Sequence, residues 1–383
     1  MVLMEQFEVM RPYRDHEVKP AVERLLDHPR FKPVASFLFS EYSYDNISEK
    51  LRAADSVETF QKAFSAHVVK RILDLTATGF SFSGVENISP GTPYLFVGNH
   101  RDIVLDAAIM QYLLNEAGHR TSQITFGINL MYGQFLLDLG KLNKMFTFYR
   151  GGSRAEQYNN ALINSAYINH VIREEKESIW IAQRNGRTKN GDDKTQNGLL
   201  KMFSMNSKNM VDTLEALNIV PVTISYEIEP CDIQKVRELY MSRRAKYVKE
   251  EEEDFRSILS GITGDKGRVH YCFGNPLNDY IRELGSKGLR GNEFIEKIAR
   301  EIDRQVYRDY QLWPSNFIAY DLLGGADEMS GNYNEKDKSA FMETMQGKLA
   351  TLEGMDQEEL RILYLEMYAN PVINAKRYGE IDH

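Results

Sequence analysis

Four short apolar segments, each followed at once by a polar one, leave few folds open to this chain. They span residues 94–97, 145–149, 179–182 and 219–227 and are rich in aromatic and β-branched side chains. Such runs, bounded by Gly, Asn or Arg, are typical of buried β-strands. A later run at 268–273 predicts a further strand. We therefore predict an α/β domain in which a mixed sheet is flanked by helices.

The first polar segment places a histidine at a strand-to-helix junction. Gly98 and Asn99 end the apolar run, His100 follows where a helix would begin, and Asp102 and Asp106 come shortly after it. A carboxylate near an imidazole can fix its tautomer and stabilise the imidazolium that forms when the ring takes a proton. The segment therefore predicts a general base. The alternative is a satisfied polar pair without a catalytic role.

Cationic residues gather after the second and third apolar segments. Arg150 precedes two glycines, and the third segment leads into Arg184, Gly186, Arg187 and Lys189. Glycine lets the backbone approach a ligand closely, and arginine matches phosphate oxygens with paired donors. This pattern predicts a substrate that bears phosphate. A solvated surface loop is the alternative interpretation.

The order of these segments resembles the glycerolipid acyltransferases, the superfamily of glycerol-3-phosphate and lysophosphatidate acyltransferases. Asn99-His100 through Asp106 is similar to the first block of the family, Asn-His-x4-Asp, although five residues separate His100 from Asp106 here. The resemblance implies that His100 is the base, that Asp106 is its partner and that Asn99 contributes to substrate binding. Because of the extra residue, Asp102 stays open as the partner instead.

The later segments resemble the other blocks of the family. The aromatic run that ends at Arg150 is similar to the second block, and 220–222 is similar to the strand of the fourth block. Residues 185–188 stand where the family has a Glu-Gly-Thr-Arg type of loop, but the glutamate is missing. The resemblance implies a substrate-binding loop in which Arg150, Arg187 and Lys189 bind the phosphate of the acceptor, while Arg184 and Gly186 shape the loop.

The resemblance also implies the reaction. A fatty acyl group would pass from acyl-CoA or acyl-carrier protein to a hydroxyl of glycerol 3-phosphate, a lysophospholipid or a related lipid, without a further cofactor. Because the third block is unusual, acylation of a non-phosphate acceptor such as an aminolipid stays open. A catalytically silent protein that binds lipid or carrier protein is the alternative from another class.

Net charge, apolar runs, cysteines and histidines limit the partners and the cellular location that we expect. The net charge of −8 argues against nucleic acid as the main partner, because phosphate backbones require a basic face. No run approaches roughly 18 apolar residues, so we expect no membrane-spanning helix. The first residues lack both a basic start and a long apolar stretch, so we expect no signal peptide. We interpret Cys231 and Cys272 as structural thiols, and we predict no metal site because the histidines show no ligand spacing. A cytoplasmic location follows, with peripheral contact at the cytoplasmic membrane face left open.

The chain divides into three regions. We predict a helical region over 1–84, the acyltransferase-like α/β core over 85–275 and a second helical region over 276–383. The stretch 129–148 is dense in Leu, Met and Phe. It predicts a helix packed on the sheet, with an acyl-chain groove or a membrane-facing surface as the alternatives.

Overall fold

A mixed sheet forms the centre of the computed structural model, which describes residues 2–39, 41–127, 133–250 and 252–379. Its strands are β1 (Ala77–Ser83), β2 (Leu95–Gly98), β3 (Gln123–Gly127), β4 (Met145–Phe148), β5 (Ile179–Ala182), β6 (Ile219–Tyr226) and β7 (Gly267–Phe273). Their spatial order is β1-β7-β6-β2-β5-β3-β4. The β6–β7 pair is antiparallel, and the other neighbours in this order are parallel. The predicted α/β class with a mixed sheet is confirmed.

Two strands of this sheet were not predicted, because their residues lack a clear apolar run. β1 reads Ala-Thr-Gly-Phe-Ser-Phe-Ser and lies at an edge, where most of its residues are partly or fully exposed. β3 reads Gln-Ile-Thr-Phe-Gly. Because β1 pairs with β7, the sheet begins at Ala77, ahead of the boundary predicted after residue 84.

Except for the first helix, whose Phe7 and Met10 pack on the opposite face, the helices before the sheet cover one of its faces. Apolar side chains from this group pack with Phe96, Trp180 and Val222, which point to the same face. His67 stacks on Phe39 with ring centroids 4.7 Å apart, as expected for a packed histidine. The helices are α1 (Val2–Met10), α2 (Asp15–Asp27), α3 (Phe31–Leu38), α4 (Tyr44–Arg52), α5 (Val57–Phe60) and α6 (Ala66–Thr76), with a π-helical turn at Gln61–Ser65.

Helices that alternate with the strands complete both faces. The opposite face presents Leu95, Val97, Ile179 and Ile181, because successive strand residues point to opposite sides. These helices are α7 (Leu105–Glu116), α8 (Gly133–Leu142), α9 (Arg154–His170), α10 (Asn197–Phe203), α11 (Met210–Ala216), α12 (Asp232–Ser242) and α13 (Glu253–Thr263). A 3-10 turn at Val85–Asn87 and a π-helical turn at Val171–Glu175 accompany them.

The chain after β7 is helical, as predicted. In α15 the buried side chains Ile295, Ile298, Ile302 and Val306 repeat at helical spacing and pack on the second face of the sheet. Helix α18 packs with α12, α16 and α17 in a separate apolar cluster. These helices are α14 (Asn278–Ser286), α15 (Gly291–Asp309), α16 (Pro314–Gly324), α17 (Glu335–Ala350) and α18 (Gln357–Arg377), with a 3-10 turn at Ser330–Asn332.

The apolar stretch 129–148 forms α8 and β4 in its described part. Phe135 packs against the core, and the buried Asp138 accepts hydrogen bonds from Tyr13 and Arg24. This packing agrees with the interpretation as a helix that lies against the rest of the domain. Leu130 and Met131, which contributed to that interpretation, lie outside the described residues.

Candidate active site

The segments that follow β2 and β5 meet at the carboxyl edge of the sheet. β2 and β5 are parallel neighbours, so both deliver their polar segments to the same edge. The backbone N–H of Thr188 donates to the carbonyl of His100 at 2.7 Å, and that of Gln183 donates to the carbonyl of Gly98 at 2.8 Å. The loop carrying the predicted cations is therefore fixed against the loop carrying the predicted base.

His100 and Asp106 form a direct hydrogen-bonded pair. The Nδ1 atom of His100 lies 2.9 Å from Oδ2 of Asp106. That oxygen also accepts from the backbone N–H of Arg101 at 2.6 Å and of Asp102 at 2.8 Å. The carboxylate therefore receives donors and acts as the acceptor for Nδ1–H. This arrangement leaves Nε2 of the imidazole as the nitrogen able to take a proton.

The pair forms because residues 99–104 are not helical. Asp106 is the second residue of α7, whose backbone N–H groups and positive dipole end favour a carboxylate. The irregular segment turns His100 back over this helix start, which a continuous helix would not allow at that spacing. The side chain of His100 stays 15% exposed, whereas that of Asp106 is buried.

Trp180 supports the imidazole from the neighbouring strand β5. Its ring meets that of His100 edge to face, with centroids 5.6 Å apart and planes at 73°. The position of the Trp180 ring depends on Gly98, because a Cβ at residue 98 would lie 2.9 Å from Nε1 of Trp180. Trp180 was not predicted as a site residue, since it reads as one apolar residue within a strand.

Asp102 has a different place from Asp106. Its Oδ1 accepts from the backbone N–H of Val104 at 2.9 Å and of Leu105 at 2.8 Å, so it caps the start of α7. Its Oδ2 has no hydrogen-bond partner among the described residues, and a Cβ on Gly261 would lie 2.0 Å from it. Burial, together with the negative charge of Asp106, raises the pKa of Asp102.

Asp102→Ala is expected to lower the free energy of unfolding by about 1 kcal/mol, because the start of α7 loses its cap. Asp102→Asn keeps a capping oxygen and removes a buried charge, so it is the matched control. Because the pKa of Asp102 is raised in the folded state, its contribution to stability is lost as the pH rises through that value. Asp102→Asn should remove this loss, so its free energy of unfolding at neutral pH should equal or exceed that of the wild type. Urea denaturation at two pH values checks both variants, and equal destabilisation by both would contradict the capping role.

A cavity of about 240 Å³ opens beside His100. Its lining combines apolar side chains with charged and amide groups, so the cavity can hold an amphiphilic molecule. The apolar lining consists of Ile103, Val104, Ala107, Ile124, Phe126, Met145, Trp180 and Ala182. The polar lining includes Arg150, Asn185, Gly186, Arg187, Lys249 and Asp254.

Two of the predicted arginines, Arg150 and Arg187, line the cavity. Nη1 of Arg187 is buried and has no hydrogen-bond partner within the described part of the chain. Nη1 of Arg150 donates to Oδ1 of Asn185 at 2.7 Å. Gly186 adopts a φ of 75°, in the left-handed region that glycine tolerates, and turns the loop at the cavity wall.

Three predicted substrate-binding residues lie elsewhere. Asn99 is buried and bonds both backbone groups of Ile224, donating to its carbonyl at 2.9 Å and accepting from its N–H at 2.8 Å, so it holds β2 to β6. Lys189 pairs with Glu238 on α12. Arg184 donates to the carbonyl of Asp192 at 3.3 Å, within its own loop. Each of these side chains contacts protein partners that sequence spacing does not reveal, and its role in substrate binding stays a prediction.

A family comparison agrees with this geometry. Residues 79–225 match the family model described as Acyltransferase. The chain therefore carries an acyltransferase domain over these residues. The matched range begins within β1 and ends within β6, so it contains the pair, Trp180, Arg150 and Arg187.

Other comparisons add the following. Among solved structures, the 1-acyl-sn-glycerophosphate (LPA) acyltransferase PlsC from Thermotoga maritima is 11% identical, with a TM-score of 0.35, over 74% of this chain and 93% of that chain. No match is found among curated proteins. In the part of this acyltransferase that the structure describes, no helix is long and apolar enough to cross a bilayer. Within the same ranges, no three His, Cys, Asp or Glu side chains are grouped to hold a metal ion.

Behind the pair, this acyltransferase carries a buried network of four charges. Arg101 is fully buried; its Nε donates to Asp193 at 3.0 Å and its Nη1 to Glu229 at 3.2 Å. Lys235 bonds Glu229 at 2.6 Å and donates to the carbonyl of Arg101 at 2.8 Å. Asp193 also accepts from Thr188, at 2.5 Å. Two positive and two negative groups thereby tie the loop after β2 to the loop after β5 and to α12.

Helices of the C-terminal region hold the cationic loop from outside. Asn370 donates to the carbonyl of Asn190 at 2.6 Å, and Asn374 donates to the carboxylate of Asp192 at 3.0 Å. Gly191 lies so close to α18 that a Cβ there would be 2.1 Å from the carbonyl oxygen of Met367. The C-terminal helices are therefore part of what positions the acyltransferase site, although the family match ends before them.

Proposed function

We propose that the protein transfers a fatty acyl group from a thioester donor, acyl-CoA or acyl-carrier protein, to a hydroxyl of glycerol 3-phosphate, a lysophospholipid or a related lipid. The observation that carries this proposal is the His100–Asp106 pair at a cavity whose lining combines apolar side chains with Arg150 and Arg187. O-acylation of a phosphate-bearing acceptor requires a base for the hydroxyl, an apolar surface for the acyl chain and cations for the phosphate.

The proposed reaction proceeds without a covalent enzyme intermediate. Nε2 of His100 accepts the proton of the acceptor hydroxyl while the hydroxyl oxygen forms a bond to the thioester carbonyl carbon. Asp106 holds Nδ1–H and stabilises the imidazolium. Collapse of the tetrahedral intermediate breaks the carbon–sulfur bond, and the imidazolium returns its proton to the departing thiolate. The products are the acyl ester and the free thiol.

The polar residues that line the cavity support the proposal that the acceptor bears phosphate. Arg187 presents a buried Nη1 that has no hydrogen-bond partner among the residues the structure describes, and an unpaired buried donor is costly unless a ligand completes it. Lys249 adds a third cation from the segment before α13, beyond the family match. It was not predicted, because its sequence neighbours form a mixed charge run.

The carboxylate of Asp254 favours one alternative acceptor. Asp254 lines the same cavity, and its Oδ1 lies 2.5 Å from Nζ of Lys249. An acceptor with an ammonium group, such as an aminolipid, could pair with it. Acyl transfer to a non-phosphate acceptor is therefore the second candidate function.

An acceptor screen tests the proposed function. The protein is mixed with a long-chain acyl-CoA, or with an acyl-carrier protein, and with one acceptor at a time: glycerol 3-phosphate, lysophosphatidate or an aminolipid. Free thiol release is followed, and the lipid products are identified by mass spectrometry. We expect thiol release that depends on a phosphate-bearing acceptor. Dependence on the aminolipid alone would favour the second candidate, and no release with any pair would favour a silent binding protein.

Arg187→Ala is expected to raise the KM of the acceptor at least about tenfold, because a charge-assisted hydrogen bond to phosphate is lost. Arg150→Ala should act in the same direction, with a smaller effect on the KM of the donor in both variants. Lys189→Ala is the matched control, since this nearby cation pairs with Glu238 and should leave the acceptor KM unchanged. Steady-state kinetics with each substrate varied in turn measures these values. A larger effect for Lys189 than for Arg187 would place the phosphate elsewhere on the loop.

A further inference from the structure

We infer that Tyr226 is a positioning residue for the His100–Asp106 pair, an inference that rests on the proposed role of His100 as the base. Tyr226 is the last residue of β6 and is fully buried. Its hydroxyl donates to Oδ1 of Asp106 at 2.9 Å. It belongs to the strand that neighbours β2, so the sheet itself brings it beneath the pair.

The two oxygens of Asp106 are held by different parts of the fold. Oδ2 receives His100 and the two backbone N–H groups of the junction. For Oδ1, Tyr226 is the hydrogen-bond donor found in the described part of the chain. Without the hydroxyl, Oδ1 would be a buried anionic oxygen with no donor, and the carboxylate plane would lose one of its two anchors.

Tyr226 is a stable hydrogen-bond donor to Asp106. Burial and the negative charge of Asp106 raise the pKa of Tyr226 well above its ordinary value, so the hydroxyl keeps its proton. The hydrogen bond withdraws negative charge from the carboxylate and favours the unprotonated form of the pair. Removing it should increase the proton affinity of the pair.

The effect of losing the Tyr226 hydroxyl can be separated from the effects of neighbouring charged groups, because the substitution leaves those groups in place. Several charged or titratable side chains act on Asp106, or on Arg101, Asp102 and Tyr226 bonded to it. They are Arg187, Asp193, Glu229, Cys231, Lys266, Tyr271, Tyr307 and Tyr310. None of them replaces Tyr226 as a donor to Oδ1 among the described contacts. A shift in the pH profile after removal of this one hydroxyl therefore reports on the pair itself.

The test is Tyr226→Phe, assayed with the acyl donor and the acceptor identified in the screen. We expect kcat to fall about tenfold, with both KM values unchanged within about twofold, and the acidic limb of kcat/KM to move up by about one pH unit. Tyr167→Phe is the matched control. It removes an equally buried hydroxyl, which bonds Gln123 away from the site, and should alter stability without moving the pH profile.

A second substitution keeps the test decisive if the Phe variant does not fold. Replacing Tyr226 with a ring-fluorinated tyrosine keeps the hydroxyl and makes it a stronger donor, so the acidic limb should move to lower pH. An unchanged limb and an unchanged kcat in a folded Phe variant, or in the fluorinated protein, would overturn the positioning role. Failure of the proposed function looks different, because the wild-type protein would then release no thiol with any acceptor, or His100→Ala would keep the wild-type activity.

Discussion

His100→Ala should lower kcat by about 10² to 10⁴ while leaving the melting temperature nearly unchanged. The activity is lost because the imidazole that takes the proton of the acceptor hydroxyl is removed, and the carboxylate of Asp254 in the same cavity is paired with Lys249. The fold is retained because the imidazole is partly exposed and its removal leaves Asp106 with three further donors. Thiol release and thermal unfolding of the same preparation measure both quantities.

His67→Ala is the control for this prediction. His67 is stacked on Phe39 in the N-terminal helical region, so its loss should affect stability and leave kcat of the folded protein unchanged. Near-normal turnover of folded His100→Ala would remove His100 from the mechanism. Unfolding of His100→Ala would show instead that the imidazole is needed for packing.

The sequence predicts those parts of this fold whose apolar residues are continuous. β2, β5 and β6 are buried along their whole length, and such strands read as unbroken apolar runs. β1 and β3 carry Thr, Ser and Gln and are recognised only through their partners β7 and β5. Pairing between residues distant in the chain decides their structure, and local composition does not record it.

The same distinction applies to the site. His100 and Asp106 lie close in the chain, and their pairing follows from one strand, one short loop and one helix start. Arg101 contacts Asp193 and Glu229, which lie 92 and 128 positions further along, so nothing in its own segment marks it as buried. Read from sequence, Arg101 is an ordinary charged residue after a histidine. Only the assembled fold shows that it joins the two halves of the site.

Arg101→Met should lower the free energy of unfolding by about 3–5 kcal/mol, the usual cost of leaving a buried charge without its partner. Methionine fills much of the same volume but cannot donate to Asp193 or Glu229. Glu229 keeps Lys235, whereas Asp193 is left with neutral donors such as Thr188. Activity should fall as well, because the network fixes the loop that carries Arg187 against the loop that carries His100. Urea denaturation followed by circular dichroism measures the loss.

Two further variants identify the cause of this loss. Arg282→Met removes an exposed arginine that pairs with Glu215 and Asp279, and it should hardly change stability because solvent screens such pairs. Adding Asp193→Asn to Arg101→Met removes the stranded charge and should recover part of the lost stability, since residues in one network are not additive. If the double variant is less stable than Arg101→Met by the full cost of Asp193→Asn alone, the two side chains are energetically independent. The buried network would then be a set of separate contacts, and its role in joining the two loops would have to be abandoned.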